Sequence, residues 1–203
     1  MENKTVKPSS KPARTKSVTP RTQLAPDHWI ETAIDGLARD GIAGLRVEVL
    51  AKRCGVTKGS FYWHFKDRQA LFDAVLERWK DGRIRDIEKT TSVAPGEELN
   101  QLHYAIEVYG AVRNRKGMSI ELAIRDWARH DARAAAVVEA VDLYRLECTR
   151  KLFVAAGMSD GEAKSRSLLL YACVFGLSLM HYGQFDDKPG DLKQRIAELI
   201  VAG

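Results

Sequence analysis

The 203-residue chain is expected to be all-α: an N-terminal three-helix helix-turn-helix domain, then a larger helical domain, about nine helices in all. Three observations carry this expectation. Apolar residues recur at i, i+3, i+4 and i+7 in segment after segment, no stretch alternates convincingly with period two, and glycines, prolines and capping residues punctuate the segments. An apolar fraction of 45% is enough for a sizeable core.

The elements follow in order. Pro26-Asp27 opens the first helix, since proline and an acid both suit a helix start, and Ile30, Ala33, Ile34, Leu37 and Ala38 form its buried stripe before Gly41. The second spans about 47–54, with Val47, Leu50, Ala51 and Cys54 on one face and Ala51 kept small where two helices cross. Gly55 follows its end, because glycine takes positive φ without a Cβ clash. Thr57 is expected to cap the third helix, whose apolar partners are Phe61 and Phe65. Lys66-Asp67 starts a fourth helix that runs to about Thr91 on Leu71, Phe72, Val75, Leu76 and Trp79, and Pro95-Gly96 breaks the chain after it. Five more are expected over 96–114, 117–130 (Ile120, Leu122, Ile124, Trp127), 132–156 (Val137, Val141, Tyr144, Cys148, Leu152), 160–183 and 190–202. The resulting division is a basic tail over 1–25, a DNA-binding domain over 26–72 and a helical ligand-binding and dimerisation domain over 73–203.

Charge is unevenly placed. Residues 1–25 hold six basic side chains and one acid, whereas 26–203 hold 26 of each sign, so the whole net charge of +5 sits in the tail. Rich in Pro, Ser and Thr and poor in large apolar residues, the tail is expected to be disordered. Two readings stand for it: an arm that adds phosphate or minor-groove contacts, or a solubilising extension.

Several function classes find no support. The longest apolar run, residues 168–180, is interrupted by Gly176 and Ser178 and is shorter than a bilayer span. No secretory h-region opens the chain, and three cysteines without metal or redox spacing suit a reducing cytoplasm, the expected location. Hydrolase, metalloprotease and phosphate-loop motifs are missing, so an enzyme is the rival reading rather than the favoured one, and no cofactor is expected. Asp126 and His130 lie four apart but lack a third ligand, so no metal is expected either.

Residues 41–79, above all the run Gly55-Val56-Thr57-Lys58-Gly59-Ser60-Phe61-Tyr62-Trp63-His64-Phe65-Lys66 with Leu71 beyond it, resemble the TetR family of one-component transcriptional repressors. The resemblance is specific over about a quarter of the chain. It implies a homodimer that binds a pseudo-palindromic operator in double-stranded DNA and releases it when a small-molecule inducer occupies the larger domain. An activator, or a regulator of the same fold without a ligand, fits the same residues.

Site residues follow partly from the motif. Thr57, Lys58, Gly59 and Ser60 stand at the start of the expected recognition helix, where free N–H groups face phosphate. Tyr62, His64 and Lys66 match family positions that hold the DNA backbone, and such contacts set register rather than sequence. Ser60 and Trp63 point outward by helical phase from Phe61 and Phe65 and are the candidates for base edges, Trp63 through a thymine methyl. The alternative for Tyr62, Trp63 and His64 is aromatic packing against the first and fourth helices. Departing from the family pattern, Arg46 stands where a threonine cap is usual, which puts the capping of the second helix in doubt and leaves Arg46 to reach a phosphate. Glu48 favours the helix start as any acid does, with a cytosine amino group as the other reading.

The larger domain says less. Leu168, Leu169, Ala172, Cys173, Phe175, Gly176, Leu179 and Met180 give the eighth helix apolar residues on more than one face. Together with Leu192, Ile196, Leu199 and Ile200 of the ninth, they are expected to build the dimer interface that the resemblance implies. For the effector, His103, Tyr104, Tyr109, Trp127, Tyr144, Phe175 and His181 are polar or aromatic residues amid apolar stripes; each is a candidate ligand contact or plain core.

Overall fold

The computed structural model describes residues 25–110, 115–185 and 188–202. The tail therefore lies, apart from Ala25, outside the described residues. Among the described residues there are nine α-helices and no strand: α1 Pro26–Asp40, α2 Val47–Arg53, α3 Lys58–Phe61, α4 Arg68–Thr91, α5 Glu98–Gly110, α6 Arg115–Ala128, α7 Ala132–Ala155, α8 Asp160–Leu179 and α9 Pro189–Val201. A 3₁₀ turn, Gly41–Leu45, links α1 to α2.

The α1 to α4 module is held by aromatic packing. Phe61 is fully buried, meeting Trp29 of α1 edge to face at 5.4 Å and stacking on Phe65 at 5.3 Å. Such ring pairs add roughly 0.5–1.5 kcal/mol to what their buried area contributes. The corner between α1 and α2 rests on backbone touching backbone. A Cβ on Gly44 would stand 2.3 Å from the Gly36 carbonyl oxygen, so neither α1 nor the 3₁₀ turn can accept a side chain there. Ala51 is buried, as its crossing position requires. Gly55 closes α2 with φ +67.

α4 joins this module to the rest. Its start is capped by Asp67, whose carboxylate accepts from the Ala70 N–H at 2.8 Å, and Arg78 further along donates to Glu31 at 2.7 Å and Asp27 at 2.5 Å on α1. The expected division at residue 72 falls inside α4, and one core runs across it, from Trp29 and Leu50 through Phe72 and Val75 to Ile124, Trp127 and Val141. Phe72 and Trp127 meet edge to face at 5.0 Å, and α6 packs against both α1 and the 3₁₀ turn. A second core gathers Leu102 and Ile106 of α5, Phe153 of α7, Leu170 and Val174 of α8, and Ala197 and Ile200 of α9. Arg166 of α8 donates to the Ile200 carbonyl at 2.7 Å, satisfying the end of α9.

Three expectations need correcting. The third helix is a single turn rather than a run to Phe65; residues 62–64 form a turn, with the N–H groups of His64 and Phe65 both reaching the Phe61 carbonyl at 3.0 Å. Thr57 occupies the N-cap position, but its side chain makes no capping bond. α8 stops at Leu179 instead of 183: the chain turns extended at Met180, and Leu179 and Met180 are both exposed, so neither anchors a further turn to the core. The three cysteines are half-buried against the two cores, and Cys54 lies 3.5 Å from the Thr32 hydroxyl.

Candidate nucleic-acid interface and effector cavity

The turn around α3 presents its polar residues outward because Phe61 and Phe65 anchor it inward. Thr57, Lys58, Gly59, Tyr62, Trp63 and Lys66 are exposed, as is Arg46 at the start of α2, and Ser60 is half-buried. Trp63 is 79% exposed, a large aromatic held in water with no ring partner among the described residues. Tyr62 is 55% exposed and leans edge to face on Phe61 at 5.2 Å, which fixes its ring while its hydroxyl stays in solvent. His64 is half-buried; its Nε2 is turned into the protein and has no hydrogen-bond partner among the described residues.

One pairing was not foreseen. Lys58 Nζ reaches Glu48 Oε1 at 2.5 Å, joining α3 to the first turn of α2. The hydrogen bond holds the Glu48 carboxyl below its ordinary range and raises the Lys58 ammonium above its own. Both groups are in water, so the pair orients Lys58 more than it stabilises the fold. No side-chain bond caps α2 at Arg46, which leaves that guanidinium outward.

The effector candidates do not gather. Trp127 is core against Phe72, while Tyr104 and His181 are exposed. Tyr144 donates its hydroxyl to Glu88 at 2.9 Å, which pushes its pKa up to about 12. His103 borders an open cleft beside Met158 and Glu198. The side chain of Tyr109 lies outside the described residues. Only Phe175 lines the small, partly open cavity between α4, α6, α7 and α8, together with Arg83, Gly117, Met118, Glu121, Arg145 and Tyr171 among others. Asp126 and His130 are both exposed, and no group of three metal-binding side chains occurs among the described residues.

That cavity is polar at its floor. Glu121 and Arg145 are each 3% exposed. Arg125 binds Asp142 through two bonds of 2.6 and 2.8 Å and reaches Glu121 Oε1 at 2.9 Å, while Arg145 Nη1 reaches the same oxygen at 3.2 Å. Burial works against the charge on Arg125, but Asp142 and Glu121 outweigh it and its pKa ends above the ordinary value. The Arg125 guanidinium lies over the Phe175 ring at 4.2 Å.

The model of the bacterial regulatory proteins, tetR family, matches residues 30–75, the span from α1 into α4 just described. The AcrR transcriptional regulator of Shigella flexneri is 25% identical over 189 residues, 86% of this chain and 85% of that protein. The α1 to α4 module is that of the tetR family. The class A tetracycline repressor from transposon 1721 of Escherichia coli is 43% identical over 56 residues, which are 28% of this chain and only 26% of the repressor. A solved structural neighbour, the transcriptional regulator FadR of Bacillus subtilis in complex with stearoyl-CoA, superposes with a TM-score of 0.62 at 14% identity, covering 88% of this chain and 99% of that one. At that identity the likeness is one of fold. TetR-family regulators bind DNA and act as dimers. No helix among the described residues is long and apolar enough to cross a membrane.

Sequence reasoning missed the residues that make this cavity distinctive. Ile120 and Leu122 were expected to be the inward face of α6, and both are half-buried, whereas Glu121 is buried beside Ile124. On α7 the buried stripe passes through Arg145 and Thr149, four and eight residues beyond Val141. A signal existed: charged and polar residues at the stripe positions of a helix, with acid and base on neighbouring helices.

Proposed function

We propose that the chain is a ligand-responsive repressor of the TetR family that binds a pseudo-palindromic operator as a homodimer. The observation that carries the reading is the small, partly open cavity under α6, where buried Glu121 and Arg145 meet an apolar wall; α6 also packs against α1 and the 3₁₀ turn. Anything that enlarges the cavity displaces α6 and, through α1, re-aims the DNA-binding turn. The stearoyl-CoA complex of the Bacillus subtilis neighbour supports a small molecule as the trigger.

On DNA, Lys66, Tyr62 and His64 hold phosphates, with Arg46 on the flanking backbone and Thr57 and Gly59 letting the chain approach closely. Lys58, Ser60 and Trp63 face the groove. Tyr62→Ala and Lys66→Ala are each expected to weaken binding about tenfold on every sequence, and Trp63→Ala to alter base preference, by about 1–3 kcal/mol at one position. Selection of bound DNA from a random pool, followed by mobility shifts at several salt concentrations, reads both effects. Unchanged affinity in all three variants would place the recognition surface elsewhere.

The dimer is proposed to form on α8 and α9. Leu168, Leu169, Ala172 and Leu179 are exposed on the side of α8 opposite its buried Leu170, Tyr171 and Val174, and Leu199 of α9 is 78% exposed. Leu169→Asp combined with Leu179→Asp should convert a species of twice 22.7 kDa into one of 22.7 kDa by light scattering. A double variant that keeps the doubled mass rules this face out. Release of the selected operator by screened metabolites tests the repressor reading itself.

A further inference from the structure

We propose that the Glu121–Arg145 cavity takes a neutral ligand with an apolar body and a hydrogen-bond donor next to an acceptor, the amide and lactam class. The proposal rests on the ligand-responsive reading above and narrows it to a chemistry.

The two buried charges are each satisfied on one side only. Three nitrogens, Arg125 Nε and Nη2 and Arg145 Nη1, converge on Glu121 Oε1 at 2.9–3.2 Å, while Oε2 is buried with no partner among the described residues. Arg145 spends Nη1 on Glu121 and on Asp142 at 3.3 Å, and its Nε–H is likewise buried without an acceptor among the described residues. Both side chains line the same cavity. Glu121 Oε2 calls for an N–H or O–H, and Arg145 Nε–H calls for a carbonyl oxygen. An amide presents both on neighbouring atoms.

Charge decides against ions. Glu121 and Asp142 balance Arg125 and Arg145, and Arg83, the remaining charged residue on the wall, is paired with Asp86 at 2.6 Å. A carboxylate or an ammonium would bring an uncompensated charge into a site of low polarisability. The remaining wall is Met118, Val174, Phe175 and the Tyr171 ring, which suits an apolar body. The Tyr171 hydroxyl already lies 3.2 Å from Thr149, so it is not the group left to direct a ligand. The cavity admits about 10 Å³, room for about one water molecule. A ligand of the proposed class must therefore part α6 from α4 and α8, the movement the repressor reading requires.

The test is a ligand-observed saturation-transfer titration of the full chain with benzamide, benzoate, benzylammonium and acetophenone, four probes that share a ring and differ in charge and donor. Benzamide is expected to saturate at a concentration at least tenfold below the other three. Glu121→Gln should weaken benzamide at least tenfold. Met118→Trp, which fills the apolar wall without touching a charge, should abolish the signal in a protein whose circular dichroism is unchanged, and it keeps the test sound if the Gln variant does not fold. Benzoate or benzylammonium matching benzamide overturns the neutral class. Acetophenone matching it shows that the donor is not read and overturns the amide assignment, and no saturable probe means that the cavity takes a water molecule only. The same preparation is put through DNA selection. Selected DNA with a failed benzamide arm sinks the ligand class alone, whereas failure to select any DNA sinks the regulator reading.

Discussion

Replacing Phe61 with Ala lowers the unfolding free energy by about 3–5 kcal/mol, a large share of the roughly 5–15 kcal/mol that holds a domain together. The reason is position. Phe61 is the single fully buried side chain of the one-turn α3, and Trp29 and Phe65 both rest on it. Removing the ring leaves a cavity that Trp29, pinned in α1, cannot fill, and the turn bearing Tyr62, Trp63 and Lys66 loses its seat. DNA binding should fall with it by more than a hundredfold. Urea denaturation followed by tryptophan fluorescence reads the stability, and the neighbouring Tyr62→Ala provides the contrast: its ring is 55% exposed, so stability should move by no more than about 0.5 kcal/mol while DNA affinity still drops. A Phe61→Ala protein as stable as the parent would remove the anchoring role assigned to this ring.

Arg145→Ala is the second large effect, expected to destabilise by about 3–5 kcal/mol because Glu121 is left as a buried charge short of one partner. Lost packing over Tyr171 adds to the loss, the guanidinium carbon lying 5.2 Å from that ring. The pair Glu121→Met with Arg145→Met should recover most of the stability, since well-packed apolar residues of similar volume replace a buried ion pair at little cost. Arg125 then keeps Asp142 as its partner through two short bonds. Thermal and chemical denaturation of the two single variants and the double variant complete the cycle. A double variant as unstable as the sum of its singles would show that the two residues act independently, against the geometry.

The helices were legible because their cause is local. Stripes such as Ile30, Ala33, Ile34 and Leu37 declare both the helix and the face it buries, and all four are core residues. The recognition segment was legible as a motif but not as a shape. Phe61 and Phe65 are four apart, which suits a continuing helix, yet the chain satisfies both by a turn at 62–64. Spacing alone does not separate those two ways of pointing the same rings inward. The contact of Gly36 with Gly44 was illegible for a different reason. Each is an unremarkable glycine in sequence, and only the crossing of α1 with the 3₁₀ turn makes the two meet. The effector candidates were chosen by residue type, as aromatic and histidine side chains, whereas the cavity is also lined by an acid and a base that occupy apolar stripe positions.

The Gly36 and Gly44 contact also has a mechanical side. Side chains that fill a joint absorb motion by hopping between rotamers, but a joint of bare backbone offers nothing to hop. α1, 15 residues and about 22 Å long, is therefore a stiff bar welded to the corner that carries α2. A push of about 1 Å from α6 across one end of such a bar turns it by about 2.5°, and the turn is delivered undamped to whatever the corner supports. Adding even a methyl group at Gly44 would force the weld open, so the stiffness of this joint rests on two glycines.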